Sequence, residues 1–414
     1  MKRKLSVYLI ILISIIFVFT SCDILEYSSL DEEGDNGEVK YREGEFVVEI
    51  IGDPPSTNSI NTLASKDTYL KLVEYKDKTR YEVKEIMIEQ GYNVKSIFPN
   101  IEFTVMKESY NAVSFEEDLS WNLEMVNLHE AYNHFGEELN DQSSVKIAVL
   151  DTGLDPNHES LRDFIVNDLA ANFTRDGLDD VYGHGTHVAG IIAAHTHLTG
   201  VMQEAKLVNV KVLNDSGGGT FYDILDGIEY AIDINADVIN MSLGGYISNR
   251  EEDAIRLYND LLRYALDQGS LVVAAAGNSR RPVVNSRSGL YPAASPYSLA
   301  VGASNIEKRL ANYSNYGNGL HIVAPGTNIY SSIPGDQYEY FSGTSMSAPH
   351  IAGLAGLIRA LDSEISAEDK FNLIKSSGND NILSDDYRNV DIGSGHMDVY
   401  KTINRYYLRD YLPD

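Results

Sequence analysis

The sequence predicts an α/β fold, a mostly parallel sheet with helices on both faces, preceded by a small α+β module. Two observations carry this. From residue 145 onward, short strands that are apolar almost throughout alternate with helical segments, the pattern of parallel strands covered on both sides. Upstream, residues 45–108 hold a shorter strand–helix–strand–strand pattern of about 60 residues, enough for an independent small domain. With 414 residues, 43% of them hydrophobic, the chain can bury a sizeable core, which excludes a disordered protein.

The N-terminal segment reads as an export signal. Lys2, Arg3 and Lys4 precede an apolar run at 7–19, interrupted by Ser14 and followed by Thr20-Ser21-Cys22. The run is short for a bilayer span, which needs about 20 residues, and suits a signal-peptide core. Phe19-Thr20-Ser21-Cys22 reads as an ordinary cleavage site, as part of an uncleaved anchor, or as similar to a bacterial lipobox whose cysteine takes a lipid. Phe19 stands where a lipobox usually has Leu. The sole cysteine directly after the run, with a polar tether behind it, favours lipidation at Cys22. Residues 1–21 are then the leader and 22–44 an acidic flexible tether, in which 31–38 (DEEGDNGE) carries five acids and no base.

Acidic residues outnumber basic ones 61 to 33, for a formal charge of −28. Such a field repels phosphate backbones and argues against a nucleic-acid partner. One cysteine excludes an intrachain disulfide, a multi-cysteine zinc site and an iron–sulfur cluster.

Within the module, 46–51 (FVVEII) reads as a strand. Residues 79–90 read as a helix with Val83, Ile86 and Ile88 at helical spacing, stopping at Gly91. Two further strands follow at 92–97 and 101–106. The second domain, 115–405, has expected strands at 145–150, 205–213, 237–243, 271–276 and 298–303. Its expected helices are at 184–195, 220–233, 250–268 and 345–361.

Three segments carry chemistry. Val149-Leu150-Asp151-Thr152-Gly153 puts an acid at the carboxyl end of a buried strand, where open α/β sheets gather functional groups. Gly183-His184-Gly185-Thr186-His187 puts a histidine at the start of a small-residue helix. Gly343-Thr344-Ser345-Met346-Ser347-Ala348-Pro349 puts a serine at the start of a long apolar one, where free N–H groups face any oxyanion formed beside it. Each has an ordinary explanation, a turn acid or an N-cap serine. A metal centre on His184 and His187, with His195 and His197 beyond, lacks both the His-Glu-x-x-His pattern and cysteines.

Taken together, in the order Asp, His, Ser, the three segments resemble the subtilisin-like serine proteases, the subtilases. Asn240-Met241-Ser242-Leu243-Gly244-Gly245, Ala274-Ala275-Ala276-Gly277-Asn278, Ala324-Pro325-Gly326 and Gly393-Ser394-Gly395-His396-Met397-Asp398 extend the likeness. The resemblance implies an endopeptidase acting through an acyl-enzyme. Ser345 is then the nucleophile, His184 the general base and acid, and Asp151 the group that orients the imidazole. It implies that Asn278 donates to the oxyanion. It also implies that Ser242, Leu243 and Gly244 on one side, with Ser216, Gly217 and Gly218 on the other, pair with an extended peptide substrate. Residues 45–108 resemble the family's inhibitory propeptide in position and size, the alternative being an unrelated small binding domain. The resemblance makes the chain's own module an expected partner, along with protein substrates and, through Cys22, the membrane. Self-cleavage in 107–118 is expected to release a soluble form of about 290 to 300 residues.

Two departures from the family pattern matter. Ser160 stands where many subtilases have a calcium-ligating Asp, and 194–200 is too short for the loop that completes that site, so the usual structural calcium is expected to be missing. Arg280 and Arg281 follow Asn278 where the family often has an acid, and Leu290 replaces a glycine at the base of the specificity pocket. Leu290 either makes the pocket shallow and apolar, favouring small or medium P1 residues over Lys or Arg, or turns away from it. The competing function is a catalytically silent surface lipoprotein using the same fold as a binding platform.

Overall fold

The computed structural model describes residues 39–52, 60–61, 67–106, 120–136, 138–139, 142–285, 287–379 and 391–408. The leader, Cys22, most of the tether and the stretch 107–118 lie outside the described residues.

The module opens with strand β1 (Tyr41–Ile51), which begins inside the segment read as tether. Strand β2 (Ile60–Asn61), strand β3 (Thr68–Glu74), helix α1 (Arg80–Glu89) and strand β4 (Val94–Val105) follow. β1 lies between β3 and β4, antiparallel to both. α1 starts at a capping box, in which Thr79 Oγ1 accepts from Glu82 N and the Glu82 carboxylate accepts from Thr79 N. Its buried residues are Val83 and Met87, four apart on one face, while Ile88 is 47% exposed. The expected Val83–Ile86–Ile88 stripe is therefore wrong at Ile88, which sits five positions and about 140° round from Val83.

The two strands expected at 92–97 and 101–106 are one. Pro99 and Asn100 signal a turn because both are depleted in strands. Here β1 keeps pairing past them, with Phe46 opposite Pro99 and Tyr41 opposite Ile101 across a register shift. Buried Asn100 donates to Glu45 Oε2 (2.8 Å) and accepts from Tyr222 N (3.2 Å).

Short helices α2 (Trp121–Met125) and α3 (Leu128–Phe135) lead into the second domain. In chain order come β5 (Lys146–Asp151), β6 (Ala171–Asn172), α4 (His184–Ala193), β7 (Lys206–Lys211), β8 (Gly218–Thr220), α5 (Phe221–Asp233) and β9 (Val238–Met241). Then follow β10 (Leu243–Ser248), α6 (Glu252–Asp267), β11 (Leu271–Ala275), β12 (Ser288–Tyr291), β13 (Ser298–Ser304), β14 (Ile322–Pro325), β15 (Ile329–Ile333) and β16 (Gln337–Phe341). Helices α7 (Thr344–Leu361), α8 (Ala367–Ser376) and α9 (Val399–Leu408) complete it.

Seven strands make a parallel sheet in the order β14-β13-β11-β9-β5-β7-β6. Ile147 and Val149 join the core under α4 and α7, whereas Ala148 and Leu150 join the core under α5 and α6. Both faces of β5 are therefore dry, which is why its sequence is apolar without alternation. The module enters the second of these cores, because Val47, Leu70, Phe98, Ile101 and Phe103 pack with α5 and α6 residues. Phe46, Val48 and Ile50 face the other way, onto Val83 and Met87.

Among histidines of the second domain, His350 and His396 are buried and His321 is half-buried. Burial pushes His321, His350 and His396 each down to about 4. In an unfolded chain they titrate near 6.5, so the unfolded state binds more protons as pH falls from there toward 4. Stability present above about pH 6.5 is thus lost on acidification, by on the order of 3 kcal/mol per histidine at most. Asp223 and Asp226, raised to about 6 mainly by burial, work in the opposite sense. Urea midpoints are expected to fall between pH 7 and 4.5; a flat profile would contradict this balance.

Candidate active site

Asp151 is the last residue of β5, His184 the first of α4 and Ser345 the second of α7. All three are fully buried. His184 Nδ1 lies 2.7 Å from Asp151 Oδ1. That oxygen also accepts from Thr152 N (2.7 Å) and Thr152 Oγ1 (3.2 Å). Behind the pair, Asp180 accepts from Thr152 Oγ1, Gly183 N, Thr186 N and Thr186 Oγ1 at 2.7–2.8 Å. Burial pushes the Asp180 carboxyl up, and these four bonds oppose it. One carboxylate thereby ties the segment after Asp151 to the first turn of the helix that carries His184. Sequence reasoning missed it, since nothing local distinguishes Asp180 from Asp179.

Ser345 Oγ donates to Ser242 O at 2.8 Å, and among the described residues His184 Nε2 has no hydrogen-bond partner. The hydroxyl is thus turned off the imidazole. A χ1 rotation between staggered wells would bring it back, and such geometry commonly tightens only with substrate in place.

The C-terminal end of the module occupies the groove in front of Ser345. Asn278 Nδ2 donates to Met106 O at 2.7 Å and Ser345 N to the same oxygen at 3.3 Å. Asn278 is itself aimed, because its Oδ1 accepts from Thr344 N (3.0 Å) and Thr344 Oγ1 (2.9 Å). Upstream, β4 runs antiparallel between two strands. Val105 and Thr104 stand opposite Leu243 and Gly244, while Thr104, Phe103 and Glu102 stand opposite Gly218, Gly219 and Thr220. Val105 N donates to Gly217 O (3.1 Å) and Met106 N to Ser242 O (3.2 Å). Of the residues expected to flank extended peptide, Ser216 alone is away from β4, exposed in a turn where its N–H donates to Asn214 Oδ1. The strand extends instead to Gly219 and Thr220.

Side chains of the seated segment fill distinct hollows. A Cβ at Gly244 would come within 3.0 Å of Met106 Cε and 3.2 Å of Leu290 Cδ1, so a side chain there would press on the ends of both. Leu290 is 1% exposed and faces this position rather than turning away. Arg281 lies over the Tyr246 ring, 5.5 Å from its centroid, a use of the cation that the sequence does not reveal. Phe103 stacks on Tyr258 (centroids 6.0 Å, 9°) and tilts against Phe221 (6.4 Å).

At the position of the family's calcium, Ser160 Oγ bonds Tyr338 OH (2.7 Å) and Thr196 Oγ1 (3.1 Å), and Tyr338 OH donates to Glu159 Oε1 (2.9 Å). Hydroxyls engaged in this way do not suit a hard cation that needs six to eight oxygens. Among the described residues no group of three or more His, Cys, Asp or Glu is placed to hold a metal ion.

The subtilase family model (Peptidase S8) matches residues 142–395. The chain belongs to the subtilase family. A thermophilic serine proteinase of Bacillus sp. (strain AK1) is 33% identical over 345 residues, 74% of this chain and 82% of that protein. Thermitase of Thermoactinomyces vulgaris is 38% identical over 232 residues, covering 53% of this subtilase and 77% of thermitase. The major intracellular serine protease of Bacillus subtilis is 39% identical over 231 residues, 53% and 70% of the two chains. Among solved structures, a cold-adapted subtilisin-like serine proteinase superposes with a TM-score of 0.53 at 32% identity, covering 61% of this subtilase and 90% of that chain. This subtilase is a serine endopeptidase, and its substrates are proteins or peptides. No helix among the described residues is long and apolar enough to cross a membrane.

Proposed function

We propose that this subtilase is an exported, lipid-anchored endopeptidase made as a self-inhibited precursor, with Asp151, His184 and Ser345 as its triad. The observation that supports this most strongly is Met106 O, met at once by Asn278 Nδ2 and Ser345 N. A carbonyl held so is placed where a tetrahedral oxyanion would form. Ser345 Oγ attacks the carbonyl carbon as its proton passes to His184 Nε2, and Asp151 steadies the imidazolium through Nδ1. The same proton goes to the leaving amine, and water then hydrolyses the ester by the reverse relay. The seated module inhibits because it fills the groove while the Ser345 hydroxyl stays on Ser242 O. The chemistry needs no metal, and the hydroxyl cluster at Ser160 replaces the usual calcium.

On this reading Met106 is the P1 residue and the Met106–Lys107 bond is the one the enzyme cuts in itself, freeing residues 107–414, a form of 308 residues and so slightly longer than expected, from the lipid at Cys22. A fluorophosphonate probe should label a processed form whose N-terminus is Lys107, while full-length protein partitions into detergent. Correctly processed protein that takes no label would favour the silent binding platform instead. Leu290 sets the depth of the P1 pocket: Leu290→Gly is expected to raise kcat/KM for P1 Phe or Tyr relative to Met by roughly 10-fold or more. An unchanged P1 profile, or Lys or Arg cleaved best by the parent, would overturn that role.

A further inference from the structure

We propose that two ion pairs of opposite polarity between the module and α6 form a charge lock that selects the chain's own module as the partner of this face and sets how long it stays seated. The proposal rests on the module being the inhibitor. β1 turns Val47 and Glu49 toward the peptidase domain, and both are fully buried. A carboxylate in an otherwise apolar face needs every oxygen satisfied. Glu49 accepts from Lys95 Nζ (2.9 Å), Ser96 Oγ (2.9 Å) and Thr68 Oγ1 (3.5 Å), all in the module. Its shortest bond comes from outside, from Arg256 Nη2 of α6 at 2.6 Å. Burial pushes Glu49 up, yet the bonds from Lys95, Ser96 and Arg256 outweigh it and hold its carboxyl below the usual range. Arg256 is held in place by Asp253 (3.5 Å) and Asp260 (3.6 Å) on its own helix.

The second pair reverses the signs. Arg80, at the start of α1, grips both oxygens of Glu251 (2.6 and 2.8 Å), which stands just before α6. Acid meets base in one pair and base meets acid in the other. A foreign module seated in the same groove with the wrong charge at either place would set like charges together or leave Glu251 or Arg256 without its partner. Backbone pairing along β8 and β10 reads little side-chain identity, so these two contacts supply the discrimination that the groove lacks.

The test uses full-length chains carrying Ser345→Ala, which stay uncut, and reads hydrogen exchange at residues 102–105. Arg256→Gln removes the one cation that reaches Glu49 from the peptidase domain, leaving it only its module partners Lys95, Ser96 and Thr68, and should speed exchange there by on the order of 100-fold. Exchange in α1 should not change, because the module keeps its own core. Adding Glu49→Gln removes the buried charge that has lost its partner across the contact, and the double variant should recover at least about tenfold over Arg256→Gln alone. Parent-like exchange in Arg256→Gln, or a double variant no slower than Arg256→Gln, overturns the lock while leaving the inhibitor reading intact. An unprotected 102–105 segment in the Ser345→Ala parent overturns both.

Discussion

A chain carrying Ser345→Ala is expected to remain full length in a host without other proteases, its self-cleavage slowed by about 10⁶-fold, the order known for loss of subtilisin's nucleophile. The reaction to follow is the chain's own cleavage, since both parent and variant begin it with the module seated. Without Oγ no acyl-enzyme forms, and what survives is carbonyl polarisation by Asn278 Nδ2 and Ser345 N, both of which the variant keeps. Adding His184→Ala should lower the residual rate little further, because the base has no proton left to take. Appearance of a Lys107 N-terminus in Ser345→Ala protein at a rate near that of the parent would end the self-processing reading.

Asn278→Leu should reduce self-cleavage and the turnover of peptide substrates by about 10²–10³-fold, a magnitude measured on subtilisin itself. KM should change little, since the donor acts on charge that develops only in the transition state. The orientation of this amide is fixed by Thr344, which donates to its Oδ1 from both N and Oγ1. Asn278→Asp separates the two jobs: it keeps the acceptor for Thr344 but sets a negative charge against the oxyanion. If Asn278's part is donation, the aspartate variant is no more active than the leucine one. An aspartate variant near parental activity would mean that the residue serves only to hold Thr344.

Much of this architecture is legible in the sequence because its signals are local. The β5 strand was expected at 145–150 and spans Lys146–Asp151, and α7 was expected at 345–361 and spans Thr344–Leu361. Apolar runs, glycines and the residues at strand and helix ends suffice for that. What escapes are features decided across the chain. Pro99 and Asn100 broke the strand pattern in sequence, but pairing with β1 carries β4 through them. β3, with its mixed sequence TYLKLVE, shows no clear alternation, yet it completes the module sheet. At the site, Asp151, His184, Ser345 and Asn278 stand out by motif. Thr344, Asp180 and Met106 do not, because their parts depend on partners brought together by folding. Glu49 and Arg256 are the extreme case, 207 residues apart in sequence and 2.6 Å apart in space.

If the module departs as proposed, the single strand it shares with the groove leaves a particular surface behind. β8 and β10 each give one backbone edge to β4, so the freed enzyme carries two unpaired sheet edges facing one another across a slot one strand wide. Unpaired edges recruit extended chain without regard to origin, including loosened segments of neighbouring copies, and lead toward aggregation. Three-residue β8, with Gly218 and Gly219 offering no side chains to zip against, keeps that edge short. Residues 107–414 hold 43 acidic and 21 basic residues, and that net charge of −22 keeps copies apart at low ionic strength. Salt shortens the reach of that repulsion, from about 30 Å at 0.01 M to about 10 Å at 0.1 M. On the proposed release, the freed form is the one whose colloidal behaviour turns on salt, whereas with the module seated the same edges are spent on β4.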